Sequence, residues 1–185
     1  MPKTQLKPGT MLYPVPAVMV SCTDGKGNNN IITIAWTGIL CSEPPMVYIS
    51  IRPERYSYEM IKNTKEFVIN LPNKKLCEAL DFCGVKSGRD VNKFEYLGLT
   101  CEKSNYVATP SIAEAPLSLE CKVRKIISLG SHDVFISEIV GVSVDEKLID
   151  EKGKLDLSKA DLICYNKGEY WSLKESLGFY GYSIK

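Results

Sequence analysis

The sequence contains a single histidine and almost no net charge. The first argues against a metal site that needs several histidine ligands, and the second argues against highly charged partners. Its 185 residues carry 23 basic and 22 acidic side chains, a net charge of +1, so we expect no long-range attraction to nucleic acid or to an anionic membrane. No run of 18 apolar residues and no charged-then-apolar leader occurs, so we expect neither a membrane span nor secretion. No glycine-rich phosphate loop, HExxH or GxSxG motif is present, which argues against the common nucleotide folds, zinc proteases and serine hydrolases.

The seven cysteines form an odd, scattered set without a CxxC pair. Structural zinc and iron–sulfur sites use closely spaced cysteine and histidine ligands, so we predict no metal site. An odd number of thiols in a chain without an export signal favours a cytoplasmic location with reduced cysteines, most of them buried as small apolar side chains. A thiol redox sensor using Cys77 and Cys83 is an alternative.

The hydrophobic pattern predicts one mainly β domain over residues 1–185. Strands are expected where apolar and polar residues alternate or β-branched residues cluster, and a turn rich in glycine and asparagine at 24–30 makes the first two strands a hairpin. Few helices and five to seven strands indicate a closed or partly closed antiparallel barrel. The predicted strands are 17–22, 31–37, 46–51, 66–71, 117–124 and 133–143, and the predicted helices are 54–63 and 73–82. The segment 84–115 is expected to be irregular, and because it is too long for a simple connection we expect it to be functional.

The segment from Arg52 to Tyr58 lies between a predicted strand and a predicted helix. Arg52, Arg55 and the hydroxyl of Ser57 would stand around a helix N-terminus, where free amides and the helix dipole favour an anion. This predicts a phosphate site. The alternative is a solvated, charged loop with an ordinary helix cap.

Other side chains allow two interpretations. Trp36 could stack on a planar ring or fill the core, and His132 could be functional, structural or merely exposed. The C-terminal segment alternates aromatic residues with glycines, as in tails that dock on their own barrel or on a partner chain. Its aromatic residues are Tyr165, Tyr170, Trp171, Phe179, Tyr180 and Tyr182.

Taken in order along the chain, several short segments resemble those of the flavin reductase-like FMN-binding split barrels, and most closely the flavoredoxin-type branch. Each segment is weakly specific, and their shared order makes the match specific. The matching segments are 12–14, 34–38, 41–45, 56–57, 66–72, 87–94, 119–123, 130–133 and 178–182.

This resemblance implies a six-stranded Greek-key split β-barrel that forms a homodimer, with one FMN per subunit close to the subunit interface. The flavin and its ribityl chain would be lined by Thr33, Ala35, Trp36, Thr37, Cys41 and Ser42. The phosphate would be held by Arg52, Arg55 and Ser57, although Arg55 stands where many relatives carry a small hydroxyl residue. His132 lies in a Gly-Ser-His segment that resembles the Gly-Asp-His segment of the family near the nicotinamide approach, and Lys93 is a second expected neighbour.

The resemblance further implies an oxidoreductase in which hydride or electrons pass through bound FMN. The donor would be NADH or NADPH, or a protein in a flavoredoxin-like electron carrier, and the acceptor a second flavin, a metal complex or a redox protein. A non-catalytic barrel for ligand binding or assembly, without flavin, is the alternative from another class.

Overall fold

A computed structural model describes residues 1–184 as a mainly antiparallel β structure with three short α-helices. The strands are β1 (Val15–Pro16), β2 (Val18–Thr23), β3 (Asn29–Ile34), β4 (Thr37–Cys41), β5 (Met46–Ile51), β6 (Glu66–Leu71), β7 (Cys101–Glu102), β8 (Ser111–Ile112), β9 (Leu117–Ser128), β10 (Asp133–Val144), β11 (Ile163–Asn166) and β12 (Glu169–Ser172). The helices are α1 (Tyr56–Thr64), α2 (Cys77–Val85) and α3 (Lys93–Leu97), with single 3₁₀ turns at Lys74–Leu76, Glu146–Leu148 and Leu157–Ala160.

The main sheet has seven antiparallel strands in the order β3-β2-β6-β9-β10-β5-β4. Strand β3, at one edge, also contacts β5 next to the other edge, so the sheet curls into a partly open barrel. Two small sheets, β1-β11-β12 and β7-β8, lie outside it. The predicted mainly β, antiparallel split barrel is confirmed.

The single strand predicted over 31–37 is wrong, and this accounts for the extra strand of the main sheet. Strand β3 ends at Ile34 and β4 begins at Thr37, so Ala35 and Trp36 belong to neither ladder. Strand β3 pairs with β2, whereas β4 pairs with β5. The carbonyl of Trp36 accepts a hydrogen bond from the amide of Ser50 at 2.9 Å. The chain therefore crosses at Trp36 from one edge of the sheet to the other.

Strand β2 is buried on both faces because it separates two hydrophobic cores. Val18, Val20 and Cys22 face the first core, inside the barrel, where they join Phe67 and Phe135. Met19 faces a second core, in which α2 and α3 cover the outside of the hairpin. Alternate side chains of a strand point to opposite faces, so a nearly continuous apolar run is expected for this strand.

The helices begin and end close to their predicted positions. Helix α1 starts after Arg55, whose backbone is extended, and ends at Lys65 in the left-handed region. The predicted helix 73–82 is a 3₁₀ turn capped by the Asn73 side chain, followed by α2. The stretch 84–115 is largely irregular, as expected, with α3 as its main regular element.

Within residues 1–184, no helix combines the length and apolarity required to cross a membrane.

Candidate functional site

Two adjoining cavities lie at the side of the barrel where α1, α2 and the crossing at Trp36 meet. The first, of about 470 Å³, is here named the cationic cavity after the basic residues Arg52, Arg55, Lys86, Arg89 and Lys93 that line it. The second, of about 250 Å³, is named the aromatic cavity and is lined by Trp36, His132, Tyr165 and Tyr170 among others. The two cavities share Ile32, Arg52 and Arg55, so one elongated molecule could occupy both.

Among residues 1–184, five basic side chains line the cationic cavity but only one carboxylate does, that of Glu54. Glu54 pairs with Arg52 at 3.5 Å, and both side chains are largely exposed to solvent. A surface pair of this kind neutralises little of the local field. The cavity is therefore strongly electropositive although the net charge of the chain is only +1.

Lys93 is the buried member of this group, with 2% of its surface exposed. Its ammonium group donates hydrogen bonds to the carbonyls of Ile31 at 2.7 Å and Cys83 at 2.8 Å. Among residues 1–184, no carboxylate lies within 4.0 Å of it. Burial lowers the pKa of Lys93, and the nearby thiols of Cys83 and Cys22 act in the opposite direction. A buried cation without a counter-charge is costly, so an anion in the cavity would relieve this cost.

The N-terminus of α1 opens onto the same cavity. The first amides of a helix have no partner within the helix, and the side chain of Arg55, the N-cap residue, makes no capping hydrogen bond. The Ser57 hydroxyl stands in this first turn, is 1% exposed and lines the cavity. It accepts a hydrogen bond from the side-chain amide of Asn30 at 2.8 Å.

The irregular segment after α2 forms the opposite wall of the cationic cavity. The guanidinium of Arg89 lies 5.4 Å from the ring centre of Tyr56 and donates to the carbonyl of Glu54 at 3.2 Å. Gly88 approaches so closely that an added Cβ would lie 2.3 Å from Oδ1 of Asn30 and 2.6 Å from Tyr56. Only glycine fits there without displacing those two side chains.

The aromatic cavity is shaped by the chain crossing. Trp36 and Ala35 are half-buried and line it together with Thr33. The Thr33 hydroxyl donates to the carbonyl of Leu80, which ties β3 to α2. Trp36 is therefore neither fully buried in the core nor fully exposed to solvent, and it borders a cavity that could hold a planar ligand.

His132 lines the aromatic cavity, directly before β10. Its Nδ1 lies 2.9 Å from the Ser131 hydroxyl. The pKa of His132 is lowered, chiefly by burial and next by the positive charge of Arg52, whereas the negative charge of Glu54 raises it. Burial and Arg52 both favour the neutral form of the imidazole.

The residues chosen from the sequence fall into four groups, the last of which is Cys41 and Ser42. Arg52, Arg55, Ser57 and Lys93 line the cationic cavity, whereas Thr33, Ala35, Trp36 and His132 line the aromatic cavity, which Arg52 and Arg55 also border. Thr37 lines a neighbouring apolar cavity beside Ala35 and Trp36, and its hydroxyl donates to the carbonyl of Tyr48 at 2.6 Å.

Cys41 and Ser42 border neither the cationic nor the aromatic cavity. Cys41 is the exposed last residue of β4, and its sulfur lies 3.2 Å from the carbonyl of Glu43. Within one chain, these two residues are thus separate from the others.

Sequence reasoning missed several residues of the cationic cavity. The available signal was the length of the irregular segment 84–115, which is too long for a simple connection and predicted function there without indicating which side chains face the site. The glycine- and asparagine-rich stretch 24–30 predicts a turn that includes Asn30, but Asn30 is a buried residue of β3. The missed residues are Asn30, Lys86, Gly88 and Arg89.

The cysteines give no support to a disulfide sensor. Cys77 and Cys83 lie on the same helix, α2, six residues and therefore about 9 Å apart along its axis. A disulfide requires Cα atoms within about 7 Å, so the pairing considered from the sequence is excluded in the folded chain. All seven cysteines are free thiols.

The comparisons with known proteins agree with the fold. The family model described as "Flavin reductase like domain" matches residues 10–173. An uncharacterised protein of Archaeoglobus fulgidus is 33% identical over 168 residues, covering 91% of this chain and 93% of its own length. The flavoredoxin of Desulfovibrio vulgaris (Miyazaki F) has a TM-score of 0.92 and 33% identity, with 99% of this chain and 100% of that chain covered. The flavoredoxin of Methanosarcina acetivorans has a TM-score of 0.88 and 25% identity, with complete coverage of both chains.

Proposed function

Because the chain belongs to the flavin reductase-like domain family, we propose that it is an FMN-binding oxidoreductase that acts as an NAD(P)H-dependent flavin reductase or a flavoredoxin-like electron carrier. The FMN phosphate lies in the cationic cavity and the isoalloxazine ring in the aromatic cavity. The shared wall of Ile32, Arg52 and Arg55 supports this arrangement, since one molecule with an anionic end and a planar end would span both cavities.

The single observation that carries the proposal is the buried ammonium group of Lys93. It lies without a carboxylate partner, among residues 1–184, beside a helix N-terminus that no side chain caps. A terminal phosphate suits these donors because it carries negative charge and several acceptor oxygens. A neutral flavin such as riboflavin would leave that charge uncompensated, and this favours a phosphorylated flavin.

In the proposed arrangement the residues divide the work between binding and access. Arg52, Arg55 and Ser57 hold the phosphate together with Lys93. Thr33, Ala35, Trp36 and Thr37 border the ring and ribityl chain. Bound FMN would supply the hydride and electron chemistry, so no side chain has to form a covalent bond with the substrate. Cys41 and Ser42 stay predicted flavin contacts, and in this arrangement they would have to act across a subunit boundary.

His132 is proposed to face the nicotinamide donor. It borders the aromatic cavity as a neutral imidazole, which can donate one hydrogen bond and accept another. Neither role needs a proton to be taken up at neutral pH. Lys93, proposed from the sequence as a second neighbour of the donor, is better suited to the phosphate, because it lines the cationic cavity and does not border the aromatic cavity that holds His132.

The test is the visible spectrum of the purified protein with added FMN, followed without oxygen after NADH and then NADPH. Bound flavin that bleaches within seconds of either donor supports the reductase and identifies the donor. Bound flavin that bleaches only with dithionite supports the electron carrier. Failure of the folded protein to bind FMN overturns the proposal and leaves the non-catalytic barrel for ligand binding or assembly.

We further propose that residues 1–185 act as one domain and that two copies form a homodimer. The exposed apolar side chains of β4, Ile39 and Leu40, support this together with those of the C-terminal segment, Leu177, Phe179 and Tyr180. Exposed apolar patches of this kind usually mark interaction surfaces. Light scattering after size-exclusion chromatography tests it, and a monomeric mass at micromolar concentration would overturn it.

The remaining partners are proposed from the same chemistry. The electron acceptor is a second flavin, a metal complex or a redox protein, and neither nucleic acid nor a membrane is expected. A cytoplasmic location is supported by the seven free thiols, since reduced cysteines are typical of that compartment.

A further inference from the structure

The geometry points to Asn30 as a positioning residue that orients the Ser57 hydroxyl to donate its proton to the anion in the cationic cavity. This inference rests on the proposed function and goes beyond it, because it names a residue of β3 that acts on the phosphate through another side chain. Both side chains line the cationic cavity, with 2% of Asn30 and 1% of Ser57 exposed.

The direction of the hydrogen bond between the two side chains carries the argument. Nδ2 of Asn30 donates to Oγ of Ser57 at 2.8 Å. A serine hydroxyl has one proton and two acceptor lone pairs. The amide nitrogen of Asn30 is a donor only, so it occupies a lone pair of the Ser57 oxygen. The Ser57 proton therefore points away from Asn30 and is free to donate to another acceptor.

The folded chain offers that proton no strong acceptor. Within residues 1–184, no oxygen atom accepts a hydrogen bond from the Ser57 hydroxyl. The nearby sulfur of Cys22 is a weak acceptor, because burial raises the pKa of this thiol to about 12, although the contact with Ser57 acts in the opposite direction. A buried hydroxyl proton usually finds a partner, and an anion in the cavity would provide one.

Asn30 is itself held in place. It belongs to β3, and its backbone pairs with Cys22 of β2. Its Oδ1 lies against Gly88, where an added Cβ would come within 2.3 Å. Strand pairing on one side and the close approach of the loop on the other leave little room for the amide to turn away from Ser57.

The test compares the affinities of FMN and riboflavin, which differ only in the phosphate, for the wild type and five variants. We expect Asn30→Ala to weaken FMN binding roughly tenfold, because a freely rotating hydroxyl forms a poorer charge-assisted hydrogen bond, while riboflavin binding stays nearly unchanged. Ser57→Ala should weaken FMN at least as much. The double variant should match Ser57→Ala alone, since residues that act through one contact are not additive.

Asn30→Asp gives a test that preserves the shape of the side chain. A carboxylate accepts a hydrogen bond from the Ser57 hydroxyl, whereas the amide of Asn30 donates one to it. The Ser57 proton would then point away from the phosphate, and the carboxylate would also add negative charge to the cavity. FMN affinity should fall further than in Asn30→Ala, again with a smaller effect on riboflavin. This variant keeps the inference testable if Asn30→Ala does not fold.

Asn70→Ala is the matched control. Asn70 is also a buried asparagine, but it donates to the carbonyl of Met19 at 3.0 Å and borders neither cavity. We expect this variant to be less stable with an unchanged ratio of FMN to riboflavin affinity. Equal losses for both flavins in Asn30→Ala, or losses that add in the double variant, would overturn the role of Asn30. If the wild type binds FMN no better than riboflavin, the proposed phosphate site itself fails.

Discussion

The phenol of Tyr58 donates a 2.5 Å hydrogen bond to Oδ2 of Asp133, and both side chains are buried. Tyr58 follows Ser57 in α1, and Asp133 follows His132 at the start of β10. The bond therefore ties the helix that borders the cationic cavity to the strand that presents the histidine of the aromatic cavity. It raises the pKa of Tyr58 to about 12 and lowers the pKa of Asp133, in each case with this hydrogen bond as the largest cause.

Tyr58→Phe is expected to reduce the free energy of unfolding by about 1.5–3 kcal/mol at pH 7, the typical cost of a hydrogen bond to a charged, buried group. Because the folded-state pKa of Asp133 lies below its unfolded value of about 3.9, the bond stabilises the protein above that pH. This contribution is lost as the pH falls through the folded-state pKa.

Urea unfolding of the wild type and Tyr58→Phe between pH 7 and pH 3 measures this difference. The gap between the two curves should narrow on acidification. Tyr106→Phe, at an exposed tyrosine, is the control and should change little. A constant gap across the pH range would contradict the assignment to Asp133.

Gly88→Ala is expected to weaken FMN binding, because the new Cβ would displace Asn30 and Tyr56 into the cationic cavity. Gly84→Ala borders the same cavity, but its Cβ would meet only Thr33, at 3.3 Å, so a smaller loss is expected. Isothermal titration with FMN compares the two. Equal affinities would show that the loop at Gly88 moves aside freely.

Much of the fold could be predicted because it depends on local pattern. The strands at 46–51 and 66–71 occur with the predicted bounds, since alternation and β-branched residues define them without reference to distant partners. The crossing at Trp36 could not be predicted in this way. It depends on a hydrogen bond from Ser50 and on the change of pairing partner from β2 to β5, neither of which is visible in an apolar run.

The candidate site could be predicted where its residues are close together in the sequence, but not where folding brings distant residues together. Arg52, Arg55 and Ser57 lie within six residues around one helix start, so their spacing predicts an anion site, with a solvated, charged loop as the alternative. Lys93 is held by carbonyls 62 and 10 residues away, and its burial follows only from the packing of α2 and α3 on β3. Asn30 and Ser57 are 27 residues apart, and this separation in the sequence likewise conceals their contact.

Lys93→Met is expected to weaken FMN binding by at least about tenfold, because one charge-assisted contact to the phosphate is lost. Riboflavin binding should change much less. Lys75→Met, at a largely exposed lysine outside both cavities, is the control for charge removal alone. Fluorescence titration measures the affinities, and a similar loss for both variants would indicate a general charge effect instead of a phosphate contact.

His132 is the only histidine of the chain, so a single pair of imidazole resonances reports its protonation by NMR. In the free protein its pKa is expected below the ordinary value of about 6.5, because burial and then Arg52 lower it. With FMN the pKa should be higher than with riboflavin, since a phosphate beside Arg52 and Arg55 offsets their positive charge. Identical values with both flavins would place the phosphate elsewhere.

The thiols are expected to react with a small disulfide reagent in an order set by exposure. Cys101 is exposed and should react first, whereas Cys22, Cys83 and Cys121 are buried and should react only on unfolding. Burial raises the pKa of Cys22 to about 12 and that of Cys83 to about 11, and because the thiolate is the reactive form, both are further protected at pH 7. Peptide mapping by mass spectrometry gives the order, with the urea-unfolded protein as the control in which all seven react. Since α2 holds Cys77 and Cys83 about two helical turns apart, a disulfide between them in the folded protein would contradict this helix.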